Sequence, residues 1–223
     1  MTQLTARKGL TPFRLGHEAA KRALDVAVSL VLLVILSPLL AFLMLLVRLT
    51  SAGPALFRQE RLGCDRRSFT MLKLRTMYVG RDDRIHRDYV TRLLSAGVAP
   101  AASPGTGLYK LDADPRVTRV GIWLRRSSLD ELPQLVNVLR GEMSLVGPRP
   151  VLAWEAEMFA EQYQRRFAVK PGLTGLWQVS GRSRLSMGEA LELDVVYVAQ
   201  RSFMFDLIIL IRTIPAVLRG AAR

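Results

Sequence analysis

Between Val26 and Val47 the chain runs for 22 residues without a charge. As a helix this segment would measure about 33 Å, just enough to cross the hydrocarbon core of a bilayer. Two features complicate a simple span. Ser37-Pro38 falls at its middle, where proline removes a backbone N–H and its ring collides with the carbonyl of Val34, so a break or strong kink is expected. Basic residues crowd both flanks: Arg7, Lys8, Arg14, Lys21 and Arg22 before it, Arg48, Arg58, Arg61, Arg66 and Arg67 after it. Positively charged flanks favour the cytoplasmic side, and one straight crossing cannot keep both there. A helix-break-helix hairpin that enters one leaflet and returns can, although a kinked span also tolerates proline. A cleavable signal peptide fits poorly, because the run is too long and its polar leader exceeds 20 residues.

The rest of the chain sets limits on class. Half of its 223 residues are hydrophobic, yet 23% are charged and the formal charge is +13. That excludes both intrinsic disorder and a bundle of membrane spans, and the length suits one domain with an anchor. Arginine makes up 27 of the 32 basic residues; guanidinium grips phosphate bidentately, which suits an anionic partner, although a genomic preference for arginine codons explains the bias equally well. A single cysteine, Cys64, and two histidines, His17 and His86, leave no disulfide and no zinc constellation. A reducing, cytosolic face fits the charged part.

Pattern gives a mostly helical α+β reading. Residues 54–61 and 68–75 alternate partially about the turn-like Gly63-Cys64-Asp65, which predicts a small β-hairpin. Helices are expected over 81–94, 129–139, 154–167 and 186–200, with periodic structure over 117–125 and a Gly/Ala/Pro-rich loop over 97–107. Phe203 to Leu218 is apolar but interrupted by Asp206, Arg212 and Pro215; it reads as an interfacial amphipathic helix or as a buried terminal helix.

Three segments carry the chemistry. In Arg125-Arg126-Ser127-Ser128-Leu129-Asp130-Glu131, Ser128 and Glu131 have capping-box spacing. Adjacent carboxylates beside two arginines could also attack an electrophilic phosphorus, or hold a divalent cation shared with phosphate oxygens. Pro148-Arg149-Pro150 presents an arginine between two prolines, with little conformational entropy to lose. Lys170 to Arg182 combines glycines, a hydroxyl and terminal basic groups, the ingredients of a phosphate-wrapping loop, or simply a turn between core elements.

Taken in order, Lys21-Arg22, Ser37-Pro38, Lys73-Leu-Arg-Thr-Met77, Asp114-Pro-Arg-Val-Thr118, Ser128-Leu-Asp-Glu-Leu-Pro-Gln-Leu135, residues 137–150 and Lys170-Pro-Gly-Leu-Thr-Gly-Leu-Trp-Gln178 resemble the bacterial sugar transferases known as monotopic phosphoglycosyl transferases. The resemblance covers residues 20 to 220 and is to the catalytic unit of that family. It implies a monotopic enzyme on the cytoplasmic face of the bacterial inner membrane. Such an enzyme moves a sugar phosphate from a UDP-sugar to polyprenyl (undecaprenyl) phosphate, releases UMP and so begins a surface glycan or exopolysaccharide. By the same resemblance Asp130 is the nucleophile of an aspartyl phosphosugar intermediate, Glu131 its partner associated with Mg²⁺, and Arg125 the basic residue beside it. Arg149 and Pro148 fall in the phosphate-binding segment, and Lys73, Arg75, Gln178 and Arg182 are further substrate-binding candidates. Lys21, Arg22, Ser37 and Pro38 mark a re-entrant hairpin.

This gives an expected organisation of a leader over 1–20, the hairpin over 21–50 and a catalytic domain over 51–223 with an interfacial C-terminal helix. Partners would be the UDP-sugar, polyprenyl phosphate and membrane lipid; a homodimer is compatible with such an anchored enzyme. No nucleic-acid motif appears, and the basic residues are dispersed rather than clustered. The competing reading is a membrane-tethered basic binding or scaffold protein without catalysis.

Overall fold

The computed structural model describes residues 12–80, 84–96, 114–181 and 185–221. It is mostly helical, with two small two-stranded sheets. Helix α1 (Pro12–Thr50) leads into strands β1 (Leu56–Leu62) and β2 (Ser68–Leu74), followed by α2 (Arg84–Ala96), α3 (Arg119–Ser127), a 3-10 turn over Leu129–Glu131 and α4 (Gln134–Arg140). Strand β3 (Ser144–Val146), α5 (Ala153–Glu157), a 3-10 stretch over Glu161–Ala168, β4 (Gly172–Thr174), α6 (Leu176–Ser180), α7 (Met187–Gln200) and α8 (Phe203–Ala221) complete the order.

Helix α1 is long and apolar enough to cross a membrane, with a mean hydropathy of 3.1 over its most apolar window. Leu30, Val34, Ile35, Phe42, Leu45 and Leu49 are each more than half exposed. Helical structure runs uninterrupted through Pro38, so the expected disruption there leaves no break in the assigned helix. Local chemistry explains how it is tolerated. Proline at 38 deprives the Val34 carbonyl of its helical donor, and the Ser37 hydroxyl donates to that same oxygen at 2.8 Å. At the far end Thr50 Oγ1 donates to Leu46 O and Ser51 Oγ to Val47 O, which satisfies carbonyls that a helix terminus leaves orphaned. Gly53, at φ +113°, then turns the chain away.

The foot of α1 is polar, and its charged groups face the protein. Lys21 Nζ donates to Asp206 Oδ2 at 2.7 Å and to Val146 O at 3.0 Å. Arg22 caps the C-terminal carbonyls of α4, reaching Val138 O at 2.6 Å and Leu139 O at 2.7 Å, the position where a cation also complements the helix dipole. Asp25, 3% exposed, accepts from Ser144 Oγ and Leu145 N. The Tyr197 hydroxyl donates to Asp206 Oδ1 at 2.8 Å. Burial, reinforced by Asp206, drives that phenol far above its ordinary pKa, so it remains a donor.

The hairpin is antiparallel, pairing Leu56 with Leu74 and Leu62 with Ser68, as its sequence indicates. Its tip carries Asp65 and Arg66, both at positive φ. Strands β3 and β4 pair in parallel, Ser144 with Gly172 and Val146 with Thr174. Of the two readings of this segment, the pairing agrees with a connection between core elements over residues 172–174. A Cβ on Gly172 would lie 2.1 Å from Gly147 N, so the glycine serves close strand approach. The helix expected over 154–167 is two pieces, α5 and the 3-10 stretch, separated by residues 158–160. Helix α7 matches its expected span and opens with a capping box between Ser186 and Glu189.

Three apolar clusters hold these elements. Leu43 and Val47 of α1 pack with Ala55, Leu74 and Leu124. Val28, Leu32 and Leu33 of α1 border a second cluster that joins β2, α4, β3, α7 and α8 through Met71, Leu135, Val146, Tyr197 and Ile209. The third gathers Val90, Val151, Phe159, Phe167, Trp177 and Leu191. Helix α8 buries Asp206 and Ile209 and leaves Met204, Ile208, Ile211 and Ile214 exposed.

Lys21→Met should strand the Asp206 carboxylate and destabilise the protein by about 3 kcal/mol. Pairing it with Asp206→Leu should restore most of the loss, as read from thermal unfolding in detergent.

Candidate functional site

The chain reaches its central carboxylates through a sharp turn. Thr118 caps α3, its hydroxyl accepting from Gly121 N at 2.9 Å. Gly121 lets α3 press onto the Thr76 backbone, since a Cβ there would sit 2.1 Å from Thr76 O. Arg125, one turn further along, can then donate from Nε to Thr76 Oγ1 at 2.9 Å. Ser128 ends α3 in the left-handed region, at φ 59°, with its N–H bonded back to the α3 carbonyls. A serine held there costs backbone energy, and such strain gathers at functional turns. The expected capping box is absent: the Ser128 side chain makes no cap hydrogen bond. Glu131 is instead engaged elsewhere.

That engagement defines the site. Lys73 Nζ, on β2, lies 2.8 Å from Glu131 Oε1, and Arg149 Nη1 lies 3.7 Å from the same oxygen. Lys73, Glu131 and Arg149 side chains retain 16%, 21% and 22% exposure, so the cluster opens to solvent. Asp130 is buried at 6% and interacts electrostatically with Arg125. Burial pulls the Arg125 guanidinium below its ordinary value; Asp130 and Asp114 pull it back up, and Arg116 opposes them. An arginine so placed still carries its charge at any working pH.

Several supporting residues are invisible in motif spacing alone. Asn137, fully buried, stitches α4 to β2: Oδ1 accepts from Leu72 N at 3.0 Å and Nδ2 donates to Thr70 O at 2.7 Å. It thereby fixes Lys73 against Glu131. Arg116 grips Asp114 through Nε and Nη2 at 2.8–3.1 Å. Arg166 donates from Nη2 to Arg149 O at 2.7 Å and to Asp194 Oδ2 at 2.6 Å. Burial pushes the Asp194 carboxyl up to about 6, against the pull of Arg166 and Arg149. One signal could have found Asp194: it is a carboxylate on a helix face otherwise given to Leu191 and Tyr197, and buried polar groups must be paired.

The other described sequence candidates make hydrogen bonds elsewhere in the fold. Arg75 is 5% exposed, and its Nη2 donates to Val47 O, Ser51 O and Ser51 Oγ, so it pins the end of α1. Gln178 donates to Leu173 O within the β4–α6 segment. The Pro148 carbonyl accepts from Gly172 N. Ser37 and Pro38 lie in α1, Lys21 and Arg22 at its foot. Arg182 lies outside the described residues.

Among the described residues there is no group of three or more His, Cys, Asp or Glu that could enclose a metal. A pair of neighbouring carboxylates does fit Mg²⁺, which binds through one or two carboxylates and completes its shell with phosphate oxygens and water.

One chain thus combines a helix long and apolar enough to cross a membrane with a partly open cluster of Glu131, Lys73 and Arg149. The chain belongs to the bacterial sugar transferase family, whose model matches residues 16–220. It is 42% identical to the exopolysaccharide production protein ExoY of Sinorhizobium fredii, over 89% of this chain and 85% of that protein. It is 40% identical to the UDP-glucose:undecaprenyl-phosphate glucose-1-phosphate transferase of Caulobacter vibrioides, over 96% of this chain and 76% of that one. It is also 39% identical to the undecaprenyl-phosphate galactose phosphotransferase of Salmonella typhimurium, of which it spans 40%.

The Arg116 hydrogen bond and charge hold the Asp114 carboxyl below its ordinary value against its own burial. A depressed carboxylate pKa stabilises the fold above the unfolded value and stops doing so as pH falls through the folded one. Asp114→Asn should therefore lower Tm at pH 7, and the gap to wild type should close as the pH drops below about 4.

Proposed function

We propose that the chain transfers a sugar phosphate from a UDP-sugar to undecaprenyl phosphate, releases UMP, and so initiates exopolysaccharide assembly at the cytoplasmic face of the bacterial inner membrane. The observation that carries this reading is the placement of Glu131 between Lys73 and Arg149 at 2.8 and 3.7 Å, directly after Asp130. A basic tether or scaffold has no use for a partly open carboxylate held between two cations next to a buried one. A diphosphate donor does, because phosphoryl transfer depends on neutralising charge and fixing an in-line geometry.

In this reading an Asp130 carboxylate oxygen attacks the phosphorus that bears the sugar, and the phosphoanhydride bond breaks with its electron pair leaving on UMP. An oxygen of the lipid phosphate then attacks the same phosphorus, the aspartyl P–O bond breaks and the carboxylate returns. Splitting the transfer in this way lets a soluble donor and a lipid acceptor use one site in turn. Arg125 holds compensating charge beside Asp130, while Lys73 and Arg149 orient Glu131 and offer donors to phosphate oxygens. Mg²⁺ held by Asp130 and Glu131 would supply further neutralisation of the diphosphate.

A lipid phosphate cannot leave the bilayer surface, so the carboxylates must lie at headgroup depth. We assign α1 to a re-entrant hairpin bent at Ser37-Pro38. Its two ends support this: Lys21, Arg22 and Asp25 bond residues 138–146 and 206, whereas Val47 and Ser51 accept from Arg75. The exposed apolar face of α8 would lie alongside in the interface.

Purified protein incubated with UDP-sugars and Mg²⁺, without acceptor, should gain the mass of one hexose phosphate, and Asp130→Asn should abolish it. An adduct that persists in the variant would refute the assignment of the nucleophile. In a Cys64→Ser background, Leu15→Cys and Pro54→Cys should both be labelled from the cytoplasmic side; labelling from opposite sides would exclude the hairpin.

A further inference from the structure

The Arg149 guanidinium reaches Glu131 from a backbone that Arg166 holds from 17 residues away. It leaves a short segment whose neighbours Pro148 and Pro150 fix φ but contribute no N–H. The Arg149 carbonyl accepts at 2.7 Å from Arg166 Nη2, and the same nitrogen lies 2.6 Å from Asp194 Oδ2. Arg166 and Asp194 side chains are 2% and 3% exposed. The Arg166 plane sits over the rings of Phe159 at 5.2 Å and Phe167 at 5.6 Å. Asp194 belongs to α7, on the face that carries Leu191 and Tyr197 into the core.

We propose that Arg166 and Asp194 form a positioning pair for the transfer reaction: buried and never touching substrate, they set the Arg149 backbone so that its guanidinium reaches Glu131. Several features support a positioning role over mere packing. The hydrogen bond ends on the backbone of a residue whose side chain is at the site, and not on a core element. Guanidinium is rigid, and stacking between two aromatic rings restricts it further, so the carbonyl is held in both direction and distance. Asp194 consumes the charge that would make a buried arginine intolerable. A lysine could not reproduce the arrangement, because it lacks the planar face that the two rings cover.

The inference rests on the phosphoryl-transfer reading above, so its test has one arm that needs no activity. In a crystal structure of Arg166→Met, Arg149 Nη1 should have left the 3.7 Å contact with Glu131; a contact still in place would overturn the proposal. In the activity arm, UMP release from UDP-sugar with polyprenyl phosphate is measured for Arg166→Met, Arg149→Ala and the double variant. Arg166→Met should lower kcat/KM about 100-fold, the scale of a misplaced positioning group, and adding Arg149→Ala should cost nothing more. Losses that multiply would show the two residues acting independently and would overturn it. Should Arg166→Met alone leave Asp194 too costly to fold, Arg166→Met with Asp194→Leu removes both charges and carries the same two readouts. Wild-type protein that releases no UMP would sink the functional reading alone, and the structural arm would still decide the pair.

Discussion

Three charged side chains at the foot of α1 hold the membrane helix to the segment that shapes the site. Lys21, Arg22 and Asp25 bond the backbone from Val138 to Val146, and that backbone runs within three residues into Pro148-Arg149. The helix that meets the bilayer and the guanidinium that meets Glu131 are thus joined through one stretch of main chain. A charged group at the edge of an apolar helix would ordinarily reach for water or lipid headgroups. These turn inward: Lys21 meets buried Asp206, Arg22 the open carbonyls of α4, and Asp25 the donors of Ser144 and Leu145. The depth of the site relative to the helix is therefore fixed by hydrogen bonds and an ion pair, and not by a flexible linker.

Around the carboxylates the charges interlock. Thr76 receives Arg125, Asn137 binds β2 to α4, and Arg166 holds the Arg149 carbonyl. Each contact fixes one element that carries a site residue against another. Preorganisation of this kind matters for phosphoryl transfer, which depends on fixed geometry and on neutralised charge. The proposed roles of Asp130 and Glu131 draw on that frame: one carboxylate buried beside an arginine, the other partly open between two cations.

The long-range frame was the least legible part of the sequence. The apolar run with its proline, the β-hairpin and helix α7 follow from local pattern, since alternation, capping and uninterrupted hydrophobicity are short-range signals. The resemblance marked the Asp130-Glu131 pair, Lys73 and Arg149, and the structure brings these together. The capping box failed for an identifiable reason. Ser128 and Glu131 have capping-box spacing, but Glu131 is claimed by Lys73 from 58 residues away. The glycines of 170–175 left a phosphate loop and a core connection both open, and Gly172 lets β4 lie against β3 across Gly147. Arg75 lies two residues from Lys73 but bonds the end of α1. Asn137 reaches β2 from 65 residues away, and Arg166 reaches Arg149 and Asp194 across 17 and 28 residues, which spacing cannot reveal.

The central claim, that a carboxylate of this chain takes the phosphosugar before the lipid does, is tested most directly by isotope exchange. Labelled UMP is mixed with unlabelled UDP-sugar, Mg²⁺ and protein in lipid nanodiscs that contain no polyprenyl phosphate. Label should pass into UDP-sugar with wild-type protein and fail to do so with Asp130→Asn. Absence of exchange in wild-type protein that transfers phosphosugar once acceptor is added would contradict the account, because it would mean direct transfer between the two substrates.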